Sequence, residues 1–199
     1  MRNVLLAVLK LIVFIFLIPL IISSTIAFKK EITQLDAVTL RFFILGIISF
    51  LVVYLFVAEP QGLYDYGQKL VSHIFGFFAP LVEMAPFAVP IYSIIVLIVY
   101  SISALVFSME KYHGVFIFLF SFSFAMHLAM TAKVLKNRGG DSNGADYCFA
   151  MAFIYLFNIF LISIFLDLIA PTFLFPEFFQ TTLHVAKDIY LTVFKQFSV

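Results

Sequence analysis

The chain has 199 residues, of which 64% are hydrophobic and only 12% are charged, whereas ordinary soluble domains carry about 25% charged residues. Its formal net charge is +1, so no strong field attracts an acidic partner, and nucleic-acid binding is excluded as a main role. The only cysteine, Cys148, excludes an internal disulfide and every zinc site built from several thiolates.

Long apolar runs predict an all-α fold, a polytopic transmembrane helical bundle that forms one membrane domain over residues 1–199. A helix of about 20 apolar residues crosses the hydrocarbon core and satisfies its backbone hydrogen bonds internally. The predicted spans are 4–28, 39–58, 87–108, 115–135 and 147–170. This gives five spans, or six if the polar helix at 62–79 also crosses.

The first span, 4–28, is predicted to be a signal anchor, with Arg2 before it and Lys29 and Lys30 after it. A cleaved signal peptide is the alternative, because Thr25 to Ala27 form a passable small-residue cleavage site. The apolar run is longer than the roughly 7 to 15 residues typical of a signal peptide, which favours the anchor.

After the Glu59-Pro60 turn, the segment 62–79 has a helical pattern but is too polar to face lipid. Its polar members are Asp65, Gln68, Lys69, Ser72 and His73. We therefore expect a short re-entrant or half-buried helix. Three prolines follow, at 80, 86 and 90, and prolines break or kink helices.

The last segment, 177–197, alternates large apolar residues with polar ones at helical spacing. Such a pattern is typical of an amphipathic helix that lies in the membrane interface. The orientation of the chain stays undecided, because basic residues divide evenly between the two sides of a five-span topology.

Ionisable or polar side chains at membrane depth are functional-site hypotheses by default. The candidates are His73, Glu83, His127 and Asn158. The simpler alternative for His127 and Asn158 is that each forms a hydrogen bond across helices. Lys10 and Asp167 lie near span ends, where snorkelling explains them.

A row of small residues at a spacing of four, Ser121, Ala125 and Ala129, lies near His127 on the fourth span. Small residues let two helices approach closely in a membrane. We predict that this row is a helix-packing surface.

No motif for metal or nucleophilic catalysis is evident. A helix-borne zinc site needs two histidines four residues apart with a glutamate between them, but Lys69 precedes His73 by four and Phe77 follows it by four. Ser72 beside His73 is not a positioned pair, because adjacent helical residues do not face each other. The sequence predicts neither a metal nor another cofactor.

The segment YDYGQKLVSH, from Tyr64 to His73, resembles the zinc helix of bacterial intramembrane metallopeptidases related to site-2 proteases. In that family a Tyr and a Gly lead into His-Glu-Leu-Thr-His after a Glu-Pro turn. The similarity continues at MAPFAVPIY (84–92), MHLAMTAKVLKN (126–137), the loop at Asp141 and ADYCFAMAFIYLFN (145–158). It covers about residues 55–165 and implies a multi-pass protein of the bacterial cytoplasmic membrane.

The sequence departs from the family pattern at the positions of the zinc ligands and the catalytic residue. Gln68 and Ser72 occupy the two zinc-histidine positions, and Lys69 replaces the catalytic glutamate. A lysine ammonium repels zinc and has no carboxylate to take a proton from water. The family's strand insertion, an edge to which a substrate strand can add, is missing between residues 74 and 83. The resemblance therefore implies a degenerate relative without a catalytic residue or a zinc ion.

The first functional hypothesis is a non-catalytic membrane subunit or scaffold whose partners are the lipid bilayer and other integral membrane proteins of a hetero-oligomeric complex. The 28 phenylalanines offer apolar contact surface, although plain lipid-facing surface also explains them. A second hypothesis is a proton or ion path through Lys69, His73, Glu83 and His127. The third is residual intramembrane proteolysis.

Overall fold

The computed structural model describes residues 2–76, 85–108, 111–138, 144–169 and 174–197. Every regular element within these ranges is a helix, so the prediction of an all-α fold is confirmed. The helices are α1 (Arg2–Gln34), α2 (Ala37–Phe56), α3 (Gln61–Ile74), α4 (Ala85–Ala88), α5 (Ile91–Val106), α6 (His113–Arg138), α7 (Gly144–Ile169) and α8 (Leu174–Phe197).

Within the described ranges, four helices are long and apolar enough to cross a membrane. They are Ala7–Gln34, Ala37–Phe56, His113–Asn137 and Tyr147–Leu168. The remaining predicted span, 87–108, is shorter than expected, because Pro90 precedes the helix and the residue before a proline is biased away from helical geometry. The resulting α5 has 16 residues and is about 24 Å long, against a hydrocarbon core of about 30 Å.

Two helices end elsewhere than the sequence predicts. Helix α1 continues to Gln34 and not only to Phe28, because charged residues such as Lys29 and Lys30 propagate a helix as well as apolar ones do. Helix α3 ends at Ile74, where the backbone N–H of Phe75 donates to Val71 O at 2.9 Å. Residues 77–79 of the predicted helix lie outside the described residues.

Two compact units can be distinguished within the chain, and the prediction of one membrane domain over residues 1–199 stays a prediction. The first unit comprises Met1–Leu35 and Leu135–Val199, and the second comprises Asp36–Val134.

In the first unit, α7 and α8 both pack against α1. Thr25 Oγ1 of α1 lies 2.7 Å from Tyr155 OH of α7. Tyr190 OH of α8 donates to the backbone O of Phe16, and Lys30 Nζ lies 2.6 Å from a carboxylate oxygen of Glu177. Helix α8 therefore runs antiparallel to α1. The interfacial position predicted for this helix stays a prediction.

In the second unit, a core cluster joins α2, α3 and α6 through Phe50, Tyr64, Met126 and Met130. Helices α2 and α6 approach each other closely at Gly46, where a Cβ atom would lie 2.4 Å from the backbone O of Phe118. Helices α4 and α5 contact α3. Helix α3, which carries the segment from Tyr64 to His73, is therefore packed against the core of the second unit.

Candidate functional site

A polar cluster made of Tyr64, Gln68, His127 and Thr131 lies where α3 meets α6 in the second unit. Tyr64 is buried, and its OH lies 2.7 Å from Thr131 Oγ1. Gln68 Nε2 donates a hydrogen bond to the same hydroxyl. The tyrosine oxygen therefore joins the two helices inside the core.

Helical spacing explains why these side chains meet. Tyr64 and Gln68 are four residues apart on α3, and His127 and Thr131 are four apart on α6, so each pair lies on one face of its helix. Gly67 lets α5 approach α3, because a Cβ atom there would lie 2.7 Å from the Tyr92 ring. Tyr92 OH then donates to Leu63 O at 2.6 Å.

His127 is 5% exposed, and its ring forms a hydrogen bond to the backbone of Phe87. Its Nε2 has no hydrogen-bond partner among the described residues. A cavity of about 10 Å³ adjoins it, also bounded by Tyr64, Gln68 and Tyr92. Such a volume holds roughly one water molecule, so the site can accommodate a bridging water but not a peptide.

The three degenerate motif positions lie in different environments. Gln68 is half-buried and belongs to the polar cluster, Lys69 is exposed, and Ser72 is half-buried. His73 is also exposed. Across the ranges that the structure describes, no group of three or more His, Cys, Asp or Glu residues is placed to hold a metal ion.

The small-residue row of α6 faces the interior of the second unit. Ser121 is 1% exposed and lies against α2, since a Cβ atom on Gly46 would come 2.0 Å from Ser121 Oγ. Ala125 and Ala129 pack against the core cluster. These contacts occupy the row within the chain itself.

Of the remaining predicted candidates, Asn158 does not join the polar cluster. Asn158 belongs to the first unit, where its Nδ2 donates to Ile154 O at 2.9 Å and its Oδ1 has no partner in the described part of the chain. Glu83 lies outside the described residues.

Sequence reasoning missed several buried polar groups, among them Thr131 and Glu31. The spacing from His127 to Thr131 was an available signal, because residues four apart on a helix share a face. Glu31 directly follows Lys29 and Lys30, beyond the predicted span, and its local sequence gives no signal that it is buried. In the structure it is 3% exposed and accepts a hydrogen bond from Ser163 Oγ at 2.8 Å.

No family model matches the chain, and no significant match was found among curated proteins or solved structures. The resemblance to site-2-protease-like metallopeptidases therefore depends on the quoted segments alone. The all-α class and the four long apolar helices stand independently, on the structure.

Proposed function

We propose that the chain is a non-catalytic integral membrane subunit or scaffold of a larger membrane protein complex. Its helical core is a degenerate version of the site-2-protease-like metallopeptidase core, in a bacterial cytoplasmic membrane. The observation that carries the proposal is the hydrogen bond made by the side chain of Gln68. Where the resemblance places a zinc ligand, the chain has an amide whose Nε2 donates a hydrogen bond to Tyr64 OH. Where the family has its catalytic glutamate, Lys69 offers no carboxylate to activate water.

The exposed side of α3 is the best candidate for a partner surface. Asp65, Lys69 and His73 are spaced four residues apart and are all exposed, so they form a polar stripe along one face of the helix. The opposite face is buried through Tyr64 and Val71.

Charged groups are costly in contact with hydrocarbon. The polar stripe therefore requires water, lipid headgroups or another protein beside it. We assign it to a partner membrane protein, because Leu70 and Ile74 on the same helix are exposed apolar residues, and a mixed apolar and polar surface suits a protein interface.

In this proposal α5 crosses the membrane in addition to the four long apolar helices, with the help of flanking residues. A short helix is accommodated in a bilayer by local thinning or by association with other helices. Helix α3 is then the re-entrant or half-buried element beside the spans.

Co-purification tests the scaffold proposal. The tagged full-length chain, extracted from its native membranes in mild detergent, is expected to bring down a defined membrane protein. Lys69→Glu reverses a charge of the polar stripe and is expected to reduce the yield of that protein several-fold. Lys187→Glu reverses an exposed charge on α8 and serves as the matched control.

Two outcomes contradict the proposal. A lone, monodisperse wild-type monomer contradicts the scaffold, and equal partner yield from both variants contradicts the polar stripe as its surface. The unfolding temperatures of the two purified variants must agree with that of the wild type, which separates lost binding from lost folding.

Metal analysis tests the non-catalytic part separately. The purified chain is expected to contain no stoichiometric zinc, because lysine does not ligate it and Gln68 is already engaged. One zinc ion per chain, together with cleavage of a membrane-peptide substrate, would restore the hypothesis of residual proteolysis.

A proton or ion path is the second candidate, favoured by the buried Nε2 of His127 that lacks a partner in the described residues. Intramembrane histidines serve in proton relays. Proton flux into liposomes that contain the purified chain distinguishes the two functions. Flux abolished by His127→Ala would favour the path, and flux equal to that of empty liposomes would remove it.

A further inference from the structure

A buried carboxylate lies in the first unit, where α1 packs against α7 and α8. Glu31 of α1 is 3% exposed, and its Oε1 accepts a hydrogen bond of 2.8 Å from Ser163 Oγ of α7. Its Oε2 is buried and has no hydrogen-bond partner among the described residues. Burying a carboxylate anion with an unsatisfied oxygen carries a large desolvation penalty.

The charged groups around Glu31 do not compensate a negative charge there. Lys30, its neighbour on α1, lies 2.6 Å from Glu177 Oε1 of α8, and Gln34 Nε2 donates to the other oxygen of Glu177 at 3.2 Å. Both nearby donors thus stabilise the anion of Glu177.

Helix α7 presents a like charge. The carboxyl group of Asp167 is close enough to act electrostatically on Glu31, and its Oδ1 accepts a hydrogen bond from the backbone N–H of Leu174 at 2.7 Å. Glu31 therefore faces two carboxyl groups, on α7 and α8, and a lysine that is already paired. A like charge disfavours the ionised form of a carboxyl group.

The space beside Glu31 limits what can neutralise it. The pocket that it lines with Ala27, Gln34, Phe178 and Thr181 is too small to hold a water molecule, which needs a cavity of roughly 10 to 15 Å³. A proton needs no added volume, whereas a hydrated metal ion would have to displace packed side chains.

We propose that Glu31 is a proton-binding site, protonated at neutral pH, whose neutral carboxyl group joins α1 to α7 through Ser163. The proton comes from a hydronium ion of the surrounding water, whose O–H bond breaks as an O–H bond forms on Glu31. Deprotonation places a negative charge between α1, α7 and α8 and loosens their packing. This inference is independent of the proposed scaffold function.

Infrared spectroscopy of the purified full-length chain tests the proposal. At neutral pH the wild type is expected to show a C=O stretching band of a protonated carboxyl group, and raising the pH is expected to remove it. Glu31→Gln should lose intensity equal to one carboxyl group per chain. Glu177→Gln, which alters an exposed carboxylate in the same pocket, should leave the band unchanged.

The proposal is overturned if the wild type shows no such band at neutral pH, or if the band is the same in Glu31→Gln. Should Glu31→Gln fail to fold, Ser163→Ala decides the question. It removes the hydrogen bond to Oε1 and should shift the frequency of the C=O band while keeping its intensity. An unshifted band in Ser163→Ala would also contradict the assignment to Glu31.

Thermal unfolding provides a second readout. The folded chain binds a proton at Glu31 that the unfolded chain releases at neutral pH, so the stability of the wild type should fall as the pH rises. Glu31→Gln mimics the protonated form and should reduce that slope. An equal slope in wild type and Glu31→Gln would contradict a role for the proton in helix packing.

Discussion

The hydroxyl of Tyr64 supports two partners at once, Thr131 on α6 and Gln68 on its own helix. Removing it by Tyr64→Phe leaves both partners without this bond in a buried site. We expect a loss of about 1–3 kcal/mol in the free energy of unfolding, measured by denaturation in a mild detergent. Tyr66→Phe removes a hydroxyl from an exposed residue of the same helix and should change stability little. Equal loss from both variants would contradict the cross-helix role.

Gly46 sets the separation of α2 and α6. A Cβ atom there would lie 2.0 Å from Ser121 Oγ and 2.4 Å from the backbone O of Phe118. A backbone carbonyl cannot rotate away as a side chain can, so Gly46→Ala must push the helices apart. We expect a cost of about 1–3 kcal/mol, measured as a lower unfolding temperature.

Gly62 provides the control for this substitution, because nothing lies within 4 Å of a Cβ atom built there. Gly62→Ala should be neutral or should stabilise α3 by up to about 1 kcal/mol, since alanine propagates a helix better than glycine. Destabilisation by Gly62→Ala equal to that by Gly46→Ala would show that the close approach is not the cause.

For individual residues, the sequence indicates which side chains of one helix make a packing contact better than it indicates which residues they meet on the other helix. The row that begins at Ser121 is visible from its spacing, but its partner Gly46 is not, because the register of two helices depends on how whole surfaces pack. Glu31 shows the same limit. Its burial depends on α7 and α8, and nothing within α1 indicates that they cover it.

Asp36 begins α2 as its N-cap. Its side chain accepts hydrogen bonds of 3.0 Å from the backbone N–H groups of Val38 and Thr39. The side chain and the backbone N–H of Thr39 hold the pKa of Asp36 below its ordinary value. Asp36→Ala is expected to reduce stability by about 0.5–2 kcal/mol at neutral pH.

The pH dependence of this effect has a defined sign. Because the folded-state pKa of Asp36 is lowered, its contribution is complete above the unfolded value near 3.8 and is lost as the pH falls through the folded value. The difference in unfolding temperature between wild type and Asp36→Ala should therefore shrink below about pH 4. A constant difference down to pH 2 would contradict capping by the carboxylate.

Among the elements, the long apolar runs are the most predictable. The predicted span 39–58 corresponds to Ala37–Phe56, and 147–170 corresponds to Gly144–Ile169, because about 20 apolar residues determine a span almost by themselves. The bounds of α1 and α5 are less predictable. Hydropathy marks where lipid contact ends, whereas a helix ends where its backbone hydrogen bonds end.

For the whole molecule, amphipathicity identifies α8 as a helix but does not give its direction. The apolar face of such a helix can lie against the acyl chains at the membrane interface, as predicted, or against another helix. The contacts of Tyr190 with Phe16 and of Glu177 with Lys30 favour the second alternative within the first unit. Since α1 is a candidate span, α8 should cross membrane depth beside it.

Depth measurements on α8 test this arrangement. Leu183, Lys187 and Leu191 are exposed and four residues apart on one face of α8. Single spin labels at these positions, in a Cys148→Ser background, report depth through relaxation by oxygen and by a water-soluble paramagnet. A helix that follows α1 along the membrane normal rises 1.5 Å per residue, so depth should change steadily by about 12 Å from 183 to 191.

A helix in the interface plane gives the opposite pattern, with all three labels at one depth within the width of the headgroup region. A fourth label at Ile26, an exposed residue of α1, is the control for membrane insertion of the candidate span and should lie at hydrocarbon depth. If the three labels on α8 lie at equal depth while the label at Ile26 lies at hydrocarbon depth, α8 lies flat on the bilayer. That result would also remove the packed environment in which Glu31 holds its proton, because the contact between α1 and α8 that encloses Glu31 requires the two helices to run side by side.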